Sequence, residues 1–158
     1  VLVPLYGPRG DAVDHLRTWT HAQTLPRERY QVVVASDGGD PAREARVASL
    51  LAPHDALARL PGMGGIGLYD AAAAEASALW LLLTKSHCLA DPECLARTAG
   101  AIEAWPELDA ATLEHGHATP GAVGRMGARW FDEVYARRAV PVEWTRLNPV
   151  GFAVRRRA

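Results

Sequence analysis

Short apolar runs alternate with longer amphipathic stretches along this chain, which is the rhythm of a layered α/β domain. Val1–Tyr6 is the first β-rich run, broken by Gly7-Pro8-Arg9-Gly10. Asp11 can cap a helix expected to reach about Thr24, with Val13 and Leu16 on its apolar side, and Leu25-Pro26 ends it. Tyr30–Ala35 is the strongest strand, near-continuously apolar as in a strand buried on both faces. Asp37-Gly38-Gly39 makes the turn that follows, and Asp40-Pro41 opens a second helix with proline at its first position.

The pattern continues with a weaker strand over Ala56–Leu60. The glycine-rich stretch from Pro61 to Gly67 reads as a flexible loop rather than an element. Leu68–Ala78 is alanine-rich and helical by propensity. Leu79–Thr84 is a fourth strand, and Asp91–Trp105 a helix opened by a second Asp-Pro pair. Leu108–Leu113 and Val150–Val154 are further strand candidates. Between them, Pro120–Arg138 is expected to be a long helix loosened by three glycines.

Length and composition narrow this picture. The chain has 158 residues, enough for one domain with a sizeable core, and no linker divides it. It begins inside a strand pattern and closes on a basic run, so it reads as a single domain over residues 1–158, incomplete at its C-terminus. The net charge is −1 and the basic residues form no block except Arg155-Arg156-Arg157, which argues against a nucleic-acid partner. Cys88 and Cys94 form no CxxC pair, so neither a disulfide framework nor a zinc knuckle is expected. No apolar run approaches the length of a membrane-spanning helix.

Candidate chemistry gathers where strands end. In open α/β sheets, ligands bind beyond the carboxyl ends of strands, where loops diverge. Three such loops carry suitable groups: those after Tyr6, at Asp37-Gly38-Gly39, and at Lys85-Ser86-His87. A carboxylate after a buried strand can accept hydrogen bonds from a base or a ribose, and adjacent glycines let a ligand approach the backbone. The same residues would also serve as a plain turn with a helix cap. The glycines between Gly62 and Gly67 do not make a phosphate cradle. They lack the Gly-Lys-Ser/Thr ending of a P-loop and the acidic partner of a dinucleotide fingerprint.

Taken together, several of these segments resemble glycosyltransferase family 2. Val1-Leu2-Val3-Pro4-Leu5-Tyr6-Gly7 is similar to that family's first strand, which ends in Pro-x-Tyr-Asn. Ala22-Gln23-Thr24-Leu25-Pro26, then Tyr30, then Val32 to Gly39 follow the order Ala-Gln-Thr-x-Pro, aromatic, strand, Asp-Asp-Gly-Ser. Gly64–Ala74 resembles its glycine-rich loop and Ala-Arg-Asn-x-Gly helix, with Tyr69-Asp70 in place of Arg-Asn. Leu81–Leu95 resembles a strand, an Asp-x-Asp motif and an Asp-Pro-x-x-Leu helix start. Gly151 to Arg156 is similar to a later segment ending in Arg-Arg or Arg-Lys. The likeness is strong through the first 95 residues and looser afterwards.

The resemblance implies a GT-A-like (Rossmann-like) three-layer α/β/α sandwich around a mainly parallel sheet. It implies inverting transfer of a sugar from a UDP- or GDP-linked donor to an unknown acceptor. It also implies a cytoplasmic setting, with attachment to the inner membrane face through segments outside this chain. Pro4 and Tyr6 would line the nucleotide pocket, Asp37 with Gly38 would grip base or ribose, and Ser36 stands where the family has the first acid of its pair.

The departures fall on the metal motif, where Lys85-Ser86-His87 replaces Asp-x-Asp. Mg²⁺ or Mn²⁺ prefers oxygen ligands and would bridge the diphosphate, neutralising the leaving group. A protonated lysine cannot ligate, whereas His87 retains one nitrogen donor. Three arrangements stay open at this point. Lys85 and Ser86 supply the diphosphate contacts without metal, His87 holds a metal together with the nucleotide's own oxygens, or donor binding is lost in a non-catalytic relative serving carbohydrate binding or protein interaction. Glu114, His115 and His117 form another polar cluster; on a strand the two histidines would share a face, yet no third ligand is in register. Asp132-Glu133 falls on an expected helix surface, and no residue is assigned as the catalytic base.

Overall fold

The structure, a computed structural model, describes residues 1–7, 11–113, 126 and 151–156. The cluster at Glu114, His115 and His117, the pair Asp132-Glu133, and the helix expected over 120–138 (apart from Met126) lie outside these residues.

Six strands form one sheet: β1 (Leu2–Leu5), β2 (Val33–Ser36), β3 (Ala56–Arg59), β4 (Trp80–Leu83), β5 (Ala110–Thr112) and β6 (Phe152–Arg155). Their order is β3-β2-β1-β4-β6-β5. The first four run parallel, with Leu2 opposite Val33 and Val33 opposite Ala56. β6 runs antiparallel to both β4 and β5. The helices are α1 (Ala12–Thr20), α2 (Pro41–Ala48), α3 (Gly65–Glu75) and α4 (Cys94–Ala104).

Alternation along the strands divides the core into two layers. Val3, Leu5, Val32, Val34 and Leu82 face one side, where Val13, Leu16 and Trp19 of α1, Val47 of α2 and Leu95 of α4 cover them. Leu2, Val33, Ala35 and Leu81 face the other side, under Leu68 and Ala72 of α3 and Ala76 just beyond it. From β1 to β3 the chain moves one way across the sheet, then reverses to reach β4. A right-handed crossover in the reversed direction must lie on the opposite face, which is why α3 alone of the first three helices sits there. The fold is thus the expected three-layer α/β/α sandwich with a mainly parallel sheet.

Several boundaries differ from those the sequence predicts, three helix ends among them. Helix α3 begins within the supposed glycine loop, at Gly65 after an extended Gly64 cap. Glycine costs little in a first turn, and burial of Leu68 and Ala72 fixes the helix behind it. Helix α1 stops at Thr20 rather than near Thr24, and α4 starts at Cys94 rather than Asp91. The two shifts share a cause. Thr24 N–H donates to the Pro92 carbonyl at 2.8 Å, Gln23 Nε2 donates to the Asp91 carbonyl at 2.9 Å, and Gln23 Oε1 accepts from Leu95 N–H at 3.0 Å. The exit of α1 therefore occupies the groups that an earlier start of α4 would need. Cys88 and Cys94 are both free and half-buried.

Candidate functional site

The direction of the chain reverses between β1 and β4, so the loops leaving their carboxyl ends diverge and open a crevice. The carbonyls of Val1 and Leu5 accept from Val33 and Asp37 on the β2 side, whereas Leu2 accepts from Thr84 on the β4 side. By that alternation the backbone nitrogen of Pro4 faces β4, where proline has no hydrogen to donate. The β1–β4 ladder is accordingly confined to Leu2 and Leu83. Pro4 itself is fully buried. It lies within the sheet, and Tyr6, exposed at the strand end, is the residue that presents a side chain there.

The turn after β2 is held by a chain of hydrogen bonds. Asp37 Oδ1 accepts from Gly39 N–H at 3.0 Å, while the Asp37 carbonyl accepts from Gly62 N–H at 3.2 Å. Gly38 has φ +74°, a left-handed conformation that favours glycine, and packs against Pro61. Ser36 is buried and points inward. Its Oγ accepts from Gly38 N–H at 3.2 Å and donates to Glu44 of α2, whose other carboxylate oxygen takes Arg59 Nε at 3.0 Å. Ser36 therefore serves the turn from behind. The neighbour of Glu44 does similar work on the other loop: Arg43 Nη1 donates to the Gly7 carbonyl at 2.7 Å. The first turns of α2, capped by Asp40 with Pro41 next, thus hold both the β1 and β2 exits.

After β4, three successive carbonyls are each engaged. Tyr69 Oη donates to Thr84 at 2.6 Å, Cys88 N–H donates to Lys85 at 3.1 Å, and His15 Nδ1 meets Ser86 at 2.9 Å. A carbonyl only accepts, so the last bond requires a proton on Nδ1. The segment that carries Lys85, Ser86 and His87 is consequently fixed to α3 and α1. Lys85 is half-buried, Ser86 buried and His87 exposed. No ion pair joins Lys85 to an acid among the described residues.

Those three side chains do not form a fitting cage for Mg²⁺ or Mn²⁺, ions that want several oxygen donors. One is a cation, one is a buried hydroxyl, and one is a single imidazole. No group of three or more His, Cys, Asp or Glu converges for an ion among the described residues.

On the α3 side of the crevice, a Cβ on Gly65 would lie 3.4 Å from the Tyr6 hydroxyl, so the helix start and the Tyr6 ring approach as glycine allows. Burial raises the pKa of the Tyr69 phenol far above its ordinary value, with Tyr6 and Cys88 adding to the effect. Tyr69 is therefore a neutral hydrogen-bond donor at any physiological pH.

The structure places Tyr6, Asp37-Gly38 and Lys85 at the ends of three adjacent strands, with Pro4 and Ser86 buried beneath that rim. Glu44, Arg43, Tyr69 and His15 went unassigned by sequence reasoning. Glu44 and Arg43 resemble any solvated helix pair in sequence, and nothing local marks the long-range partners of Tyr69 and His15.

No protein-family model and no curated protein sequence matches the chain. Solved structures do match by shape. The mannosyltransferase PcManGT from Pyrobaculum calidifontis, in complex with GDP-Man and Mn²⁺, superposes with TM-score 0.61 at 20% identity, over 72% of this chain and 34% of that one. TarS from S. aureus, as residues 1–349, gives TM-score 0.63 at 21% identity, over 77% of this chain and 36% of that one. A longer TarS structure gives 0.61 at 20% identity, with 22% of its length covered. The chain spans about a third or less of each. What it shares with them is the fold, and that fold is the GT-A-like α/β architecture of glycosyltransferases.

Proposed function

We propose that this chain is the donor-binding part of a family 2-like glycosyltransferase that takes a UDP- or GDP-linked sugar and passes it, with inversion, to an acceptor of unassigned identity. The observation that carries the reading is the alignment of Tyr6, Asp37 and Lys85 at the carboxyl ends of β1, β2 and β4, around the point where the chain reverses. Support also comes from the GDP-Man held by the mannosyltransferase of the same fold.

In this reading Tyr6 packs along the nucleoside and Asp37 accepts hydrogen bonds from base or ribose. An acceptor hydroxyl oxygen bonds to the anomeric carbon as the bond from that carbon to the nucleoside diphosphate breaks, and the hydroxyl proton passes to a general base that is not assigned among the described residues. Lys85 meets the negative charge that builds on the leaving oxygen, a task commonly given to a divalent cation. Because the described donor set does not fit a protein-held ion, Lys85 is assigned this charge and transfer is metal-independent. Divalent metal dependence through His87, with Mn²⁺ or Mg²⁺ held chiefly by the nucleotide, is the competing outcome of the test. The whole of residues 1–158 acts as one domain, in a cytoplasmic protein at the inner membrane face. No helix among the described residues is long and apolar enough to cross a membrane.

Titration calorimetry with UDP and GDP, with Mn²⁺ and then with a chelator, tests the proposal. Binding that survives chelation supports the lysine arrangement, and binding abolished by chelation transfers the role to a metal at His87. A folded sample that binds neither nucleotide at millimolar concentration overturns the reading. A second reading, a non-catalytic GT-A-like domain for carbohydrate binding or protein interaction, is favoured by the cation at the motif position. It predicts nucleotide or glycan binding without turnover of any donor sugar by the full-length protein.

A further inference from the structure

Helix α2 carries a carboxylate that no surface role explains. Glu44 is 6% exposed, buried against the end of β2. A buried carboxylate is costly unless its oxygens are satisfied, and here both are: one by the Ser36 hydroxyl, the other by Arg59 Nε at 3.0 Å. The Ser36 hydroxyl has a single hydrogen, and Glu44 takes it. The Ser36 oxygen is thereby left with its lone pairs toward Gly38 N–H, which it accepts at 3.2 Å. Gly38 sits in the left-handed region, and its neighbour Asp37 closes on Gly39 N–H. The orientation of one hydroxyl hydrogen therefore passes from α2 into the turn that carries Asp37.

We propose that Glu44 is a positioning residue for nucleotide binding: held by Arg59, it orients Ser36 so that the Asp37-Gly38-Gly39 turn is set before ligand arrives. The inference rests on the nucleotide reading of the crevice, which it deepens. Preorganisation of this kind raises affinity because the turn no longer has to be ordered on binding.

Two substitutions of similar volume separate this role from mere packing. Glu44→Gln keeps an oxygen that accepts from Ser36, whereas Glu44→Met fills the space and offers none. The readouts are amide exchange at Gly38, exchange at Leu60 as an internal control, and UDP and GDP affinity by calorimetry. The Leu60 N–H bonds the Ser36 carbonyl at 2.8 Å and so reports the same strand end without the hydroxyl. In Glu44→Met, Gly38 exchange is expected to rise about tenfold, Leu60 to hold, and nucleotide affinity to fall about tenfold, the loss of one buried hydrogen bond. Glu44→Gln is expected to stay within about threefold of the parent in both. Adding Ser36→Ala to Glu44→Met should cost little more, because both act through one hydroxyl.

The proposal is overturned if Met and Gln behave alike, if Gly38 exchange does not change in folded Glu44→Met, or if exchange rises while affinity holds. Should Glu44→Met fail to fold, Ser36→Ala in the parent background takes its place: faster Gly38 exchange with weaker affinity supports the proposal, and no change in either overturns it. Failure of the parent protein to bind any nucleotide, with the Gly38 response still present, strikes instead at the nucleotide reading.

Discussion

The hydroxyl of Tyr69 donates to the backbone carbonyl of Thr84 at 2.6 Å, tying the opposite-face helix α3 to the residue immediately before Lys85. Thr84 is buried, so its carbonyl has no easy recourse to water. Tyr69→Phe removes the partner while keeping the ring. It is expected to cost about 1–2 kcal/mol in chemical denaturation, the penalty of one buried unsatisfied acceptor. Burial of the same phenol makes stability depend on alkaline pH. The folded-state pKa of Tyr69 is raised, chiefly by burial, so the neutral phenol favours the native state. That contribution is complete below the free tyrosine value of about 10 and is lost as pH rises through the raised folded value. Urea midpoints compared at about pH 8 and about pH 11 should fall further in the parent than in Tyr69→Phe. Equal falls would show that titration of the buried phenol is not coupled to folding. Tyr30, also raised by burial, contributes with the same sign in both proteins.

Lys85 follows β4, and the prediction concerns phosphate alone. Lys85→Ala should weaken UDP and GDP binding about tenfold or more in chelator, as expected for loss of a charge-assisted contact. Binding of the nucleoside without phosphate should not change. Lys85→Arg should recover part of the loss. If Lys85→Ala binds UDP as the parent does, the ammonium is not on the diphosphate.

Which parts of this were legible in the sequence follows from range. The strands were readable because Val32–Ala35 and Leu81–Leu83 carry their burial in their own composition, and Asp40-Pro41 announces α2 through local capping chemistry. The ends of α1 and α4 were not, because Gln23 and Thr24 bond Asp91 and Pro92 across 68 positions. The candidate site divides in the same way. Asp37-Gly38 and Lys85 follow strands and are visible by position. The groups that set them, Glu44 behind Ser36, Tyr69 at Thr84 and His15 at Ser86, reach them through space and leave no local spacing to detect. Pro4, expected at the pocket, is buried in the sheet with the hydrogen it lacks on the β4 side.

Gly38 and Gly39 should respond differently to the same substitution. A Cβ on Gly38 would lie 3.5 Å from Pro61 Cγ, an ordinary contact, so any cost arises from φ +74° rather than from collision. That conformation costs a residue other than glycine about 1–2 kcal/mol. Gly38→Ala should lower stability by about that amount and weaken nucleotide binding as the turn relaxes. At Gly39 the backbone is ordinary, but a Cβ would sit 3.2 Å from Asp37 Oδ1. Gly39→Ala should therefore leave stability nearly unchanged and act mainly on affinity, by displacing the carboxylate. Calorimetry and thermal melts on the pair decide it. Equal loss of stability in both would remove the backbone argument.

At the amino ends of the strands, remote from the crevice, Asp55 makes a purely structural clasp. Its side chain is fully buried; Oδ1 accepts from Val32 N–H and Oδ2 from Ala52 N–H, each at 2.7 Å, and Oδ2 also pairs with Arg27. Arg27 in turn lies over the Tyr30 ring, 4.5 Å from its centroid. Asp55→Ala strands two backbone donors and a guanidinium together, and is expected to cost about 3–5 kcal/mol. Arg27→Ala should cost less, about 1–2 kcal/mol, because the carboxylate keeps both backbone donors and the guanidinium is partly exposed already. Nucleotide affinity of folded Arg27→Ala should match the parent, since the clasp holds the opposite ends of β2 and β3 from those that carry Asp37. A loss of affinity there without a loss of stability would mean that the two ends of the sheet are coupled and that the site is not confined to the strands' carboxyl ends.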